Sequence, residues 1–300
     1  MRYLKPQTVH PRIEYLGEQE MCVYLLKGKE YMLIEGGMSY IVPAMLRQFR
    51  ERGIDPSRIS RLLILHSHFD HCGIAPFFKR MLPRLKILAS PRSQDLFQKE
   101  KVVQFIRERN REMLKSLAME KEAAELGLDF DRIAVDEIVQ EGDLVDLGEG
   151  IQVRIIEMPG HSSCSLAAYG GSLSALFPSD TAGIPGEGNE IFPAGGEDYI
   201  LYQKSLAKLL PLRVEILCAA RNGVFEGEEA RSFIARALEG TEKMRRDVIL
   251  RFEGLEDREA ALVRFARERS QAMKTRDVPW EIALALTKKM VDNILNTRDE

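Results

Sequence analysis

A chain of 300 residues, 45% hydrophobic and 30% charged, has the composition of an ordinary soluble globular protein, long enough for one large core or a core with an appendage. Its formal charge of −3 gives no electrostatic basis for binding nucleic acid or an anionic membrane surface, so a small-molecule partner is expected. The opening MRYLKPQTVHPR lacks a signal-like apolar stretch and no apolar run is long enough to span a membrane, which makes the cytoplasm the expected compartment.

The runs Met21–Leu26 and Glu30–Ile34 read as strands of a hairpin turning at Lys27-Gly-Lys29, and Gly36-Gly37 ends that unit. From Ser39, a candidate N-cap, the spacing of Ile41, Met45 and Phe49 predicts a helix that stops at Gly53. Leu62–Leu65 is short and wholly apolar, as a buried strand should be. A helix to Met81 and a strand over Lys86–Ala89 follow. A long helical pattern then runs through Gly127, with Val102, Ile106, Met113 and Leu117 near one face. Strand signals return at Ile151–Ile156, Ser165–Tyr169 and Val214–Cys218, and Gly183–Gly196 reads as a Gly/Pro-rich loop. Beyond Gly223 strand signals vanish and charge-rich helical sequence continues, with breaks near Gly254 and Pro279. The expected domains are a core over residues 1–224, with a helical insertion near 99–127, and a helical cap over 225–300. The four widely spaced cysteines contain no CxxC pair and are read as reduced packing residues.

The segment HSHFDHCG, residues 66–73, follows the Leu62–Leu65 strand and holds three of the chain's five histidines. Alternation along extended backbone points His66 and His68 the same way, and the turn beyond lets Asp70 and His71 reach a neighbouring position. Imidazole and carboxylate are ligand types for zinc and non-haem iron, and a hydrogen-bonded turn without a cation would have to desolvate several imidazoles and a carboxylate at a cost.

This HxHxDH pattern resembles that of the metallo-β-lactamase superfamily, and the resemblance implies an α/β fold, an αββα sandwich, here with a C-terminal all-helical cap. Pro159-Gly160-His161 matches that family's later histidine loop, and Phe177-Pro-Ser-Asp180 its aspartate segment, with Ser179 in place of glycine. By this resemblance His66, His68 and His161 hold one metal, Asp70 and His71 the second, and Asp180 bridges them. Where the family has a final histidine this chain has Arg221, and no histidine follows His161. Arginine offers no lone pair, so it is not a ligand. It binds a substrate anion, or pairs with Asp70 or Asp180 in place of the second metal's charge, or leaves that metal to water or Asn222, or points to solvent.

Within the family, the stretch LILHSHFDHCGIAPFFKRMLPRLKILASPRS, the long helix after it and the helical end resemble the 2-aminobenzoylacetyl-CoA thioesterases of alkylquinolone signalling. That resemblance implies a CoA thioester as substrate, helices over the metal site, and iron. The cofactor expected is one or two divalent ions, iron or zinc, with manganese admissible. Apolar cap positions such as Phe233, Ile234, Leu238, Val263, Phe265, Ile282, Leu286, Val291 and Ile294 are too many to leave wet, and they suit an apolar pocket for an acyl group. The expected activity is hydrolysis of a thioester, or of an ester or lactone. Asp70 would orient the attacking water or take its proton, and Arg221 would read a substrate anion. The alternative is a regulatory or partner-binding protein with a mainly structural metal, and a homodimer is compatible with either.

Overall fold

The computed structural model of the chain describes residues 1–188, 190–255, 257–273 and 278–297. After a short edge strand, β1 (Arg2–Tyr3), the chain builds one sheet from β2 (Thr8–His10), β3 (Ile13–Glu18), β4 (Met21–Lys27), β5 (Tyr31–Ile34), β6 (Ile59–Leu63), β7 (Lys86–Ala89) and β8 (Glu137–Ile138). Their spatial order is their order along the chain. β2 to β5 pair antiparallel, whereas β5 to β8 run parallel and need crossovers. Those crossovers carry α1 (Val42–Glu51), α2 (Ala75–Met81), α3 (Pro91–Phe97), α4 (Glu100–Ser116) and α5 (Glu120–Leu126).

The second sheet comprises β9 (Leu144–Asp146), β10 (Gln152–Glu157), β11 (Leu166–Gly170) and β12 (Ala175–Phe177), followed after a separate hairpin of β13 (Ile184–Pro185) and β14 (Ile191–Phe192) and after α6 (Tyr199–Ala207) by β15 (Ile216–Cys218) and β16 (Val224–Glu226). β1 closes its far edge against β16, and β12 lies parallel to β15. Then come α7 (Glu228–Arg231), α8 (Phe233–Phe252), α9 (Arg258–Met273) and α10 (Trp280–Asn296).

Alternation explains the layering. β4 is apolar at nearly every position because both of its faces are covered: Met21, Val23 and Leu25 pack toward the first helix layer, and Cys22, Tyr24 and Leu26 toward the second sheet. In the second sheet Ala175, Phe177, Ile216 and Cys218 face the first sheet, while Leu176 and Leu217 meet Tyr202 and Leu206 of α6 and Phe233 of α8. The order is therefore helices, sheet, sheet, helices, an αββα sandwich with a C-terminal helical region. Fully burying one such aliphatic or aromatic side chain contributes about 1.5–3 kcal/mol. α8, α9 and α10 add a cluster of their own around Phe252, Phe265, Met290 and Ile294. Among the described residues no helix is long and apolar enough to cross a membrane.

Several local expectations are corrected. Ser39 is no N-cap: it opens a 3-10 turn, α1 starts only at Val42 with Pro43 in its first turn, and no side chain caps it. The long helical pattern is three helices, and α4 buries Val103, Ile106, Asn110 and Leu114, so the covered face is rotated from the one expected and Leu117 is exposed. Strand structure persists beyond Gly223 as β16, and the Gly183–Gly196 loop contains the β13–β14 hairpin. β3 went unnoticed although it is almost wholly buried, because its Gly17 and acidic residues interrupt the apolar run. The four cysteines are free and buried, and burial pushes the Cys22 thiol up to about 11, out of the reactive range.

Asn110 ties α4 to the rim. Its Oδ1 accepts the Ser39 N–H at 2.8 Å and its Nδ2 donates to the Ile106 carbonyl at 2.9 Å, with the side chain buried. A Cβ on Gly73 would come within 2.5 Å of that Oδ1 and 2.7 Å of the Met38 backbone, so glycine is what lets the histidine loop lie against residues 36–39. Asn110→Ala strands the Ser39 N–H and lowers stability by about 1–3 kcal/mol, read from the shift in urea unfolding midpoint at unchanged slope.

Candidate metal centre

Four strands deliver the site at their carboxyl ends. His66, His68, Asp70 and His71 lie in the segment beyond β6, His161 beyond β10, Asp180 beyond β12 and Arg221 beyond β15. Because β5 to β7 are parallel to one another and β12 to β15 likewise, these loops open at one rim of the sandwich. Gly160, at φ 128°, lets the His161 loop press on α6: a Cβ there would meet the Tyr202 backbone at 2.3–2.4 Å. The Gly160 carbonyl accepts the N–H groups of Glu197 and Asp198.

His66, His68 and His161 converge. His66 Nε2 and His68 Nδ1 are 3.1 Å apart, and His161 Nε2 is 3.3 Å from the first and 3.1 Å from the second. Two of the outer nitrogens have partners: His161 Nδ1 donates to the Ala194 carbonyl at 2.6 Å, and His66 Nδ1 lies 3.2 Å from Ser179 Oγ, a hydroxyl able to accept its N–H. The carbonyl requires the His161 tautomer whose Nε2 lone pair faces inward, Ser179 is compatible with the same tautomer of His66, and His68 turns its Nδ1 inward. Burial, and then the neighbouring imidazoles, hold His66 well below the usual histidine range and take His68 down to about 3, so both are neutral. Three lone pairs facing one point repel unless a cation lies between them, and the donor set therefore fits one divalent ion.

Beside this triad is a second, charged cluster. His71 Nε2 lies 3.4 Å from Asp70 Oδ2 and 3.3 Å from Asp180 Oδ2, and its Nδ1 donates to Glu35 Oε2 at 2.8 Å. Arg221 Nη2 donates to Asp70 Oδ2, and Arg221 Nε is 3.7 Å from Asp180 Oδ2. All five side chains are buried. Burial would raise both aspartates, but His71 and Arg221 beside them hold each well below the usual carboxylate range. Burial would lower His71, but Asp180, Glu35 and Asp70 raise it well above the ordinary value.

The predicted site residues thus come together in two groups. His66, His68 and His161 form one, and Asp70, His71 and Asp180 the other, each with ligand atoms within 4.8 Å of one another. Of the arrangements open for Arg221, the structure displays the pairing with the aspartates rather than exposure to solvent. Asn222 turns away, its Nδ2 donating to the Pro185 carbonyl at 2.7 Å. Sequence reasoning missed Glu35. The available signal was a carboxylate at the end of the apolar strand β5, directly before Gly36-Gly37, and its φ of 75° aims the side chain at His71.

His68, Asp70, His161, Asp180 and Arg221 open on a cavity of about 460 Å³. Its other walls are largely apolar: Val102 and Ile106 of α4, Ala266 of α9, and Ile282 and Leu286 of α10.

Residues 17–221 match the profile of the Metallo-beta-lactamase superfamily. Among solved structures, the chain is similar to a HARLDQ-motif mutant of a metallo-beta-lactamase from Cronobacter sakazakii (18% identity, 90% of this chain and 100% of that one, TM-score 0.59). It is also similar to an archaeal metallo-beta-lactamase superfamily protein from Sulfolobus tokodaii (18% identity, 96% and 98%, TM-score 0.56) and to a subclass B3 metallo-beta-lactamase of Bradyrhizobium japonicum (17% identity, 81% and 94%, TM-score 0.57). With the HxHxDH segment, the two later ligand loops and the αββα layering in place, this chain belongs to the metallo-beta-lactamase superfamily.

Proposed function

We propose that the protein is a metal-dependent hydrolase of a thioester, with an ester or lactone as the less favoured substrate, working on one resident cation. The observation that carries this is that His68 and His161, two of three converging imidazoles, open on a helix-covered, largely apolar cavity of about 460 Å³, within the range of small-molecule sites. An apolar wall suits an acyl chain or aromatic acyl group better than a polymer.

His66, His68 and His161 would hold the ion, with Asp180 completing the set. Iron and zinc both suit that set. When bound, such a cation supplies Lewis acidity for a carbonyl oxygen and a nucleophilic water near neutral pH. The remaining work belongs to the chain. Ser179 and the Ala194 carbonyl keep the imidazoles in register. Asp70, held ionised by His71 and Arg221, is a weak base for that reason, so it accepts a hydrogen bond from the attacking water and orients it more than it removes the proton. Arg221 supplies a fixed positive charge on the cavity wall, where negative charge develops on the substrate oxygen. Helices α4, α9 and α10 exclude bulk water, which strengthens each of these interactions.

His68→Ala removes a ligand. Metal content falls well below that of the parent by elemental analysis, and hydrolysis of a generic acyl thioester falls more than about 100-fold, since even residues that only support a ligand are worth about 10–100-fold. Full metal and full hydrolysis in that variant would defeat the assignment.

Arg221→His exchanges the fixed cation for a ligand. The parent is expected to bind about one ion per chain and the variant about two, by the same measurement. Two ions in both would mean that Arg221 does not stand in for the second.

Ser179→Ala frees the His66 Nδ1–H. Metal affinity in a chelator competition is expected to weaken about 10–100-fold while the thermal midpoint of the metal-free protein changes little.

A further inference from the structure

Arg269 of α9 lines the same cavity as the imidazole triad. Its guanidinium is sunk among apolar and aromatic groups, at 5.9 Å over the Phe265 ring, with Nη1 3.5 Å from Met244 Sδ and Nη2 donating to the Pro193 carbonyl at 3.2 Å. Its Nε is buried and, among the described residues, has no hydrogen-bond partner. Among the described residues no carboxylate lies within 4 Å of it. The acidic residue next to it in sequence, Glu268, is engaged at 2.7 Å by Arg251. Tyr199 and Tyr202 are its ionisable neighbours, and burial lowers its affinity for its proton.

Arg231 and Arg251 of the C-terminal helices are placed differently. Arg231 meets Glu215 and Glu228, and Arg251 meets Asp247 and Glu268, all at the surface. Arg92, also on the cavity wall, is exposed and solvated. A guanidinium stays charged in proteins, and taking one out of water without an anion is costly. Arg269, half-buried with its Nε enclosed, bears part of that cost at the wall of a cavity that also carries Glu197, His68, His161 and the aspartates of the rim.

We infer that Arg269 receives a carboxylate carried by the acyl group, so that the substrate class is a monothioester of a dicarboxylic acid. This rests on the hydrolase reading, in which the thioester carbonyl lies at the triad while the far end of the acyl group reaches α9. An uncharged acyl chain would fill the apolar walls but leave Arg269 unpaired. A carboxylate there makes charge-assisted hydrogen bonds with the Nη hydrogens not directed at Met244 Sδ or the Pro193 carbonyl.

The test is calorimetric binding of free acids to the full-length, metal-loaded protein, comparing linear α,ω-dicarboxylates of four to eight carbons with the matching monocarboxylates. At one length the dicarboxylate is expected to bind about 10–100-fold more tightly than its monocarboxylate partner. Arg269→Met is expected to abolish the difference, and Arg269→Lys to keep part of it. No preference in the parent at any length overturns the inference, whether or not the variants fold. A preference that survives intact in folded Arg269→Met overturns it as well. Hydrolysis of a butyryl thioester and of monothioesters of the same dicarboxylic acids, all assayed on the parent alongside, separates the two readings. Hydrolysis without a dicarboxylate preference removes only the role of Arg269, and absence of hydrolysis with metal bound removes the hydrolase reading while the binding comparison still stands.

Discussion

A carboxylate can be buried only where a cation or several N–H groups meet it, and the rim of this sandwich buries three: Glu35, Asp70 and Asp180. His71 touches all three and Arg221 touches the two aspartates, so five buried charges from four separate loops are mutually dependent. This cluster fixes the histidine loop after β6, which in turn sets His66 and His68 against His161. Removing any one partner leaves an uncompensated charge in a dry place, a loss of about 3–5 kcal/mol in comparable buried pairs. The histidine triad is thus held in position by a neighbouring ion cluster in which His71 and Arg221 offset two of three negative charges, and Arg221 supplies one of those two cations.

Strain is concentrated at the same rim. Glu35, Ser179 and Asn222 adopt positive φ although none is glycine, at 75°, 54° and 59°. Each such residue costs of order 1–3 kcal/mol and persists only where its surroundings compensate. Glu35 obtains the bond to His71 and Ser179 the bond from His66, and Asn222 is tied to Pro185 and Gln19. At position 179 a glycine would adopt the same backbone without strain but would leave His66 Nδ1 without its partner. The strain therefore holds ligands in orientation and has a chemical return.

Much of the layering could be read from apolar runs, because strands such as β4 and β6 are buried on both faces and show it at every position. The candidate ligands of both groups could be found because each sits just past a strand. What escaped reading has a common cause. Asn110 and Glu35 matter through partners distant in sequence, Ser39 and Glu35's His71 respectively, and no local period marks that. The covered face of α4 was misplaced because Asn110, a polar residue, occupies the centre of the buried stripe. β16 was hidden by brevity, with its pairing to β1 at the opposite end of the chain.

The C-terminal helices explain why a rim site can be dry at all. Left open, the strand ends would present the triad and the ion cluster to bulk water, where the Coulombic pairing would be screened and the cavity walls wetted. α8 is anchored to the second sheet through Phe233 and Ile234, and α9 and α10 pack on its far half through Phe265, Met290 and Ile294. That arrangement lets α9 and α10 lean over the metal loops while α4, from an insertion in the first sheet, closes the other side. The same elements that cover the cavity also place Arg269 on its wall. α9 and α10 lie outside the matched 17–221 stretch, so the cavity walls they contribute are not part of what this chain shares with the superfamily profile.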